Sequence, residues 1–368
     1  MPALKGELLE ELDKIQKQLT EPLWKGPTSG DANGGITQSM LNLFLVCRER
    51  FRVKYVLGLQ PKDDFHHRLE YGSMWHACEE GLAAGDDDPW ERLDLYVAEL
   101  CEKYPLKQKD IFHWYEICKL QFPIYVDYWK DHPDVLSREP VSQEETFNIF
   151  YRVASDRIVR MRGKFDSIDI IDNKLWLQEN KTKGDINLTL MQRNLTFDKQ
   201  TMFYLTAMSK QYAGEIGGVR YNVIRRPLSG GKGSIRQKKN QSEAEYYEEL
   251  AGVIKSAIGP EWKMPPEESF FFMRWKVGMS DSDIAGFMYQ FLDPIFEQLL
   301  DWWEYMEACD FDPWSNEGIA LNKGIHYRSP YGVYSPLYDG KPTDMDEYLA
   351  SGSQVGLHRA ERLFRELV

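Results

Sequence analysis

The chain has 368 residues, 42% hydrophobic and 13% aromatic, with 45 Lys and Arg against 58 Asp and Glu for a net charge of -13. That is enough apolar material for a large core, which excludes a disordered or collagen-like chain, and the acidic balance excludes nucleic-acid binding by bulk charge while leaving a local basic groove open. No run approaches the roughly 18 apolar residues of a membrane span, the charged start MPALKGELLEELDK does not read as a signal peptide, and Cys47, Cys78, Cys101, Cys118 and Cys309 contain no CxxC pair, so the expectation is a cytoplasmic protein with reduced thiols and no membrane partner.

Residues 3–19 have the spacing of an amphipathic helix, and a glycine-rich loop, Gly26 to Gly35, leads into Thr37 or Ser39 as a helix cap. Helical spacing then predicts helices at about 38–56, 69–84, 89–103 and 108–130, punctuated by Pro61, the Asp86 to Pro89 cluster and Pro105. From about residue 142 the pattern becomes β-branched and aromatic through Thr146, Phe147, Ile149, Tyr151 and Val153, then Ile158, Val159 and Met161. A helix at about 192–211, a strand at Val219 to Ile224, a helix at about 242–257 and a strand at Phe270 to Trp275 follow. The segment from Ser280 to Cys309 reads as helical, with a last helix at about 343–366. This order describes an α/β core with a helical elaboration ahead of it, divided as 1–36, 37–135, 136–280 and 281–368.

The segment from Arg162 to Thr182 carries the most chemistry. Asp172-Asn173 suits a two-residue hairpin turn, because both residues tolerate positive φ. With that loop Ile171 faces Lys174, Ile170 faces Leu175 and Ile168 faces Leu177, so Asp166 falls opposite Glu179. Period-two alternation puts Lys181 on the same face and Asp169, Gln178 and Asn180 on the other. Directly opposed carboxylates repel unless a cation lies between them, and a divalent ion with oxygen ligands is the natural occupant. The alternative is an acidic pair that protrudes into solvent at the open end of the hairpin.

Gln200 and Tyr204 are i, i+4 on a helix and share a face, either toward a substrate or at a core boundary. His76, after Gly72, is either a nitrogen ligand or a structural histidine. Between Ile224 and Gln241 there are six positive charges, Arg225, Arg226, Lys232, Arg236, Lys238 and Lys239, and no acid. Such a stretch can follow a phosphate backbone, or be a solvated loop. Gly230 to Ser234 is not a P-loop, because Arg226 stands at its first glycine and Gly233 replaces the hydroxyl residue after Lys232.

Gly72-x-x-x-His76, Gly163-x-x-Asp166, Glu179-Asn180-Lys181-Thr182 and Gln200-x-x-x-Tyr204, in this order, resemble the RecB-like exonuclease branch of the PD-(D/E)XK nuclease superfamily, which is related to CRISPR-associated RecB-like nucleases. Residues 36–59, with Cys47, resemble that family's N-terminal helix, and Gly217 to Pro227 and Phe270 to Trp275 its later strands, so the resemblance spans about residues 36–330. It implies a restriction-endonuclease-like core, a mixed central sheet flanked by helices, with a helical N-terminal elaboration and C-terminal helices. It further implies His76, Asp166, Glu179 and the backbone carbonyl of Asn180 as ligands of Mg²⁺ or Mn²⁺, Lys181 as the catalytic lysine, and Gln200 and Tyr204 as groups that orient the DNA backbone or attacking water.

Many members hold an iron-sulfur cluster on one cysteine ahead of the motifs and three near the C-terminus. Only Cys47 has a counterpart here, so no cluster is expected. The expected activity is phosphodiester hydrolysis, as an exonuclease on single-stranded DNA ends in recombination or repair, with a phage-encoded enzyme among the settings it would fit. No motor is encoded, so unwinding falls to a helicase or recombinase partner. The competing readings are a catalytically silent DNA- or protein-binding subunit, and an endonuclease or RNA nuclease on the same fold.

Overall fold

The computed structural model describes residues 35–258, apart from 57, 62, 63, 87, 89, 197 and 232, together with 270–308 and 357–359. The predicted helix at 3–19, most of the Gly26 to Gly35 loop, and Cys309 lie outside the described residues.

Thr37 caps α1 (Gln38–Val46), its Oγ1 accepting from the Met40 N–H at 3.3 Å. The long helix expected at 38–56 stops at Cys47, and a helical turn at Arg48–Phe51 and a π turn at Arg52–Val56 follow. The break lets Phe44 and Phe51 both meet Trp302 edge to face, at 5.7 and 5.6 Å. After the short β1 (Leu59–Pro61) come α2 (His67–Ala84), α3 (Glu91–Lys103) and α4 (Gln108–Trp129), close to their predicted bounds.

The strands are β2 (Glu139–Gln143), β3 (Thr146–Arg152), β4 (Ile158–Lys164), β5 (Ser167–Ile171) and β6 (Lys174–Lys183). Two helices, α5 (Leu188–Leu195) and α6 (Lys199–Gln211), replace the single one expected at 192–211, because Asp198 caps α6 by accepting from the Thr201 N–H at 3.2 Å. Then follow β7 (Ile216–Arg225), α7 (Glu243–Ile258), β8 (Phe272–Gly278), α8 (Asp281–Phe287), a π turn and α9 (Asp293–Ala308).

The central sheet has the order β2-β5-β6-β7-β8. Only β6 and β7 run parallel, since α5 and α6 supply the crossover that parallel strands need; the other pairs are antiparallel, which makes the sheet mixed. One core on the sheet gathers α1, α6 and α9, with Leu177, Val219, Phe203 and Trp302. A second gathers α2, α4 and α7, with Trp75, Phe122, Ile224 and Phe272. Strands β3 and β4 form a separate ribbon, from which the chain crosses into the sheet through Phe165 and Asp166.

One expected helix is overturned in part. Within 343–366 the described residues, Leu357–Arg359, are not helical but form β9, antiparallel to β1. Pairing with a free strand edge overrides the helical spacing there.

Candidate metal centre

The hairpin turn forms as its residues dictate, with φ of 54° at Asp172 and 61° at Asn173, and the register runs from Ile171 against Lys174 to Ser167 against Gln178. The ladder ends there. Asp166 lies one residue beyond it, at the crossover from the ribbon, and is held by its side chain: Oδ2 accepts the backbone N–H of Asn180 at 2.7 Å. Gly163 is required by the same crossover. A Cβ on it would lie 2.6 Å from Phe147 Cζ and 3.2 Å from the Tyr204 ring.

His76 arrives on α2, which approaches β6 closely at Gly72, where a Cβ would stand 3.4 Å from Thr182 Oγ1. Its Nδ1 lies 3.0 Å from Glu144 Oε1 and 3.8 Å from Asp166 Oδ1. His76, Glu144 and Asp166 each offer a ligand atom, all within 4.8 Å of one another.

Glu144 was not among the expected residues. It sits in the turn between β2 and β3 with φ of 49°, a left-handed conformation uncommon outside glycine, and its N–H donates to the Asp166 carbonyl at 3.0 Å. Lys164 approaches its other oxygen at 2.6 Å. The sequence signal was the Glu144-Glu145 pair at a strand start, but nothing in the sequence tells which turn lies beside Asp166.

Glu179 is buried, and one of its two carboxylate oxygens is taken up by Lys181 and Gln200. Oε1 accepts from Lys181 Nζ at 2.5 Å and from Gln200 Nε2 at 2.9 Å, and Lys181 also donates to Gln200 Oε1 at 3.0 Å. The second oxygen, Oε2, is buried with no hydrogen-bond partner among the described residues. An anionic oxygen left bare in a buried site fits a cation, and together with the imidazole and the two other carboxylates it makes a donor set suited to a divalent ion.

The charges agree with this. Burial disfavours the His76 imidazolium, but Asp166 and Glu144 overcome it and hold the group at about 9. Burial raises the carboxyls of Asp166 and Glu179, against the pull of His76 and Lys181 respectively; Glu144 raises Asp166 further, and Asp166 raises Glu179. Burial opposes the Lys181 ammonium, yet Glu179 and then Asp166 lift it above its ordinary value, so it stays charged. Tyr204 is raised by burial and by the charges of Glu179 and Asp166, and remains a phenol able to donate.

The reverse face of β6 is also buried and polar. Asn180 directs its side chain there, Oδ1 accepting from Asn222 Nδ2 at 2.9 Å, and Asn222 Oδ1 accepts from Arg274 Nε at 2.7 Å. Arg220 reaches Asp169 at 2.6 Å and also Gln178.

The six-charge stretch does not form one basic surface. Arg225 ends β7, pairs with Asp185 and stacks on Phe270 at 3.9 Å, and Arg226 is buried under α2 and α4. Lys232 lies outside the described residues. Arg236, Lys238 and Lys239 are exposed, but Lys238 pairs with Glu249 of α7 at 3.2 Å, an acid that folding brings to a segment acid-free in sequence.

Residues 36–269 match the family model of the PD-(D/E)XK nuclease superfamily. A solved structure, the crystal structure of SSO0001, is 17% identical, with 51% of this chain and 76% of that one covered and a TM-score of 0.19. No curated protein matches. Among the described residues no helix is long and apolar enough to cross a membrane.

Proposed function

Because the chain belongs to the PD-(D/E)XK nuclease superfamily, we propose that it is a Mg²⁺- or Mn²⁺-dependent deoxyribonuclease acting as an exonuclease on single-stranded DNA ends. The observation that carries the reading is the juxtaposition of the bare, buried Glu179 Oε2 with the Lys181 ammonium and the cluster of His76, Glu144 and Asp166.

His76, Asp166, Glu179 and the backbone of Asn180 would hold the ion, with Glu144 as a further carboxylate beside them. When bound, a divalent ion supplies Lewis-acid stabilisation of phosphoryl oxygen and lowers the pKa of water. Lys181, charged and 17% exposed at its side chain, donates to a non-bridging phosphoryl oxygen as negative charge builds on it. Gln200 bridges Lys181 and Glu179 and so fixes the ammonium. Tyr204, kept protonated, orients the scissile group by donating a hydrogen bond. The back-face contact of Asn180 holds the backbone whose N–H anchors Asp166.

A silent binding subunit has no use for a charged lysine held against a buried acid, and the intact set favours the enzyme. Recombination or repair, in phage or host, with a helicase or recombinase alongside, is the setting such an activity fits. Labelled linear single-stranded DNA, duplex DNA, RNA and covalently closed single-stranded circles, each with Mg²⁺, Mn²⁺ or chelator, test the reading. Hydrolysis of linear single strands in metal alone is expected. Efficient degradation of the circle would refute the end requirement, and hydrolysis unaffected by chelator would refute the metal centre.

A further inference from the structure

Arg226 has no part in the chemistry above, yet it is 95% buried by its 5% relative exposure, and its Nε and Nη1 have no hydrogen-bond partner among the described residues. A guanidinium has only donors to offer, so a buried one lacking acceptors is costly unless an anion completes it. Among the described residues no carboxylate is its direct partner. The guanidinium lies 6.0 Å from the centre of the Trp114 ring, on which His67 is stacked at 4.9 Å. His67 and Arg68 form the first turn of the 18-residue helix α2, whose cap residue, His66, gives no side-chain hydrogen bond. Gly184 marks the rim: a Cβ there would stand 3.5 Å from Arg226 Nη2.

The charges in this corner repel one another. Arg226 is depressed by burial and then by Arg68; His67 by burial, then by Arg226 and Arg68, with Asp110 opposing; Lys183 by burial and Lys181, with Asp198 opposing and Arg226 adding. Arg68 and Lys183 are exposed, so the corner opens to solvent. Lys183 also ties it to the catalytic face. It follows Lys181 by two residues on β6, a distance of roughly 6.6 Å along the strand, comparable with the step between neighbouring phosphates.

We propose that Arg226, Arg68, Lys183 and the first turn of α2 form a phosphate-binding subsite that holds a second phosphate of the nucleic-acid strand beside the scissile one. The unfilled donors, the helix N-terminus and the clustered positive charge all ask for an anion, and a bidentate guanidinium matches phosphate oxygens. The subsite rests on the nuclease reading and extends it from hydrolysis to strand placement.

The test is fluorescence anisotropy in chelator with single-stranded DNA of one sequence ending in a 5′-phosphate, a 3′-phosphate or hydroxyls only. Variants are Lys183→Gln, Arg68→Gln, Arg226→Gln and the Arg226→Gln/Lys183→Gln double. Each single variant should bind about tenfold more weakly at low salt and lower the salt-dependence slope by about 1, since each removes one charge from a phosphate. The double variant should lose less than the product of the single losses, because both side chains hold one group. Tighter binding of one phosphorylated end, lost in Arg226→Gln, would identify a terminal phosphate; equal losses on all three ends would identify an internal one. Lys183→Gln and Arg68→Gln change exposed residues, so they test the proposal even where Arg226→Gln fails to fold. Wild-type affinity and slope in both, or strictly multiplicative losses in a folded double variant, would overturn it. Metal-dependent hydrolysis by the wild type alongside such results would leave the nuclease reading standing, whereas a wild type that binds no strand and hydrolyses none would sink both.

Discussion

The metal-free site should make the protein less stable as pH rises. His76 is held at about 9 by Asp166 and Glu144 against burial, and an ordinary imidazole titrates near 6.5. A group raised on folding contributes stability that is fully present below its unfolded value and is lost as pH rises through its folded one. The gap corresponds to about 3 kcal/mol at about 1.4 kcal/mol per pH unit. The imidazole keeps 28% of its side-chain surface, so solvent screening brings the expected contribution to about 1–3 kcal/mol. The measurement is urea unfolding in chelator between about pH 6 and pH 9.5, for wild type and His76→Gln. The wild-type advantage over the variant should shrink across that window, because the neutral glutamine cannot answer the three carboxylates at low pH and both side chains are neutral at high pH. Added Mg²⁺ should reverse the trend, since ion and proton compete for one nitrogen and ion binding strengthens as the proton leaves. A wild-type advantage that stays flat or grows with pH in chelator would show that His76 is not charged by the acids around it.

Lys181→Ala should lower hydrolysis about 100- to 10,000-fold in a protein that still folds, and wild-type rates in that variant would remove the lysine from the chemistry. Glu144→Gln should weaken Mg²⁺ or Mn²⁺ binding about 10- to 100-fold by calorimetry, an effect that sequence reading did not anticipate. Gly163→Ala should cost about 1–3 kcal/mol of stability, because its Cβ would stand 2.6 Å from Phe147 and press on Tyr204; unaltered stability would mean that the crossover yields. The purified protein should be colourless, and stoichiometric iron and sulfide would show that Cys47 has found other thiolate partners.

What could be read from the sequence was what depends on local rules. Asp172-Asn173 specifies its own turn, and the turn then fixes the register by counting, so the pairs of β5 and β6 follow from two residues. His76, Asp166, Glu179, Lys181 and Gln200 could be singled out because their motifs are short and ordered. Glu144 could not, because its place beside Asp166 depends on a turn between two sheets, joined to the crossover by backbone hydrogen bonds from Glu144 N–H to the Asp166 carbonyl at 3.0 Å and from Phe165 N–H to the Glu145 carbonyl at 2.8 Å. The basic stretch is divided up by folding for the same reason. Charge in sequence counts neighbours along the chain, whereas Glu249 and Asp185 arrive through space, and Arg226 is withdrawn beneath two helices whose packing no local pattern announces.

Strand β6 explains why these polar side chains are tolerated so deep in the molecule. Gln178, Glu179 and Asn180 are consecutive, all buried, and point alternately to the two faces of the sheet. Burying three adjacent polar residues is costly, and a strand made only to fill a core would carry Val or Ile there. Each face has its own compensation. Behind, Asn180 and Gln178 are hydrogen-bonded to Asn222 and Arg220, and Arg220 pairs with Asp169, although Asn180 Nδ2 and Arg274 Nη1 find no partner among the described residues. In front, Glu179 is only half answered, by Lys181 and Gln200 on one oxygen and by no described residue on the other. The hydrogen bonds of the rear face hold the strand in place, so Glu179 in front cannot relax by moving away. In the proposed metal centre a cation would fill that deficit at Glu179, and a buried strand could then present a reactive edge without losing its fold.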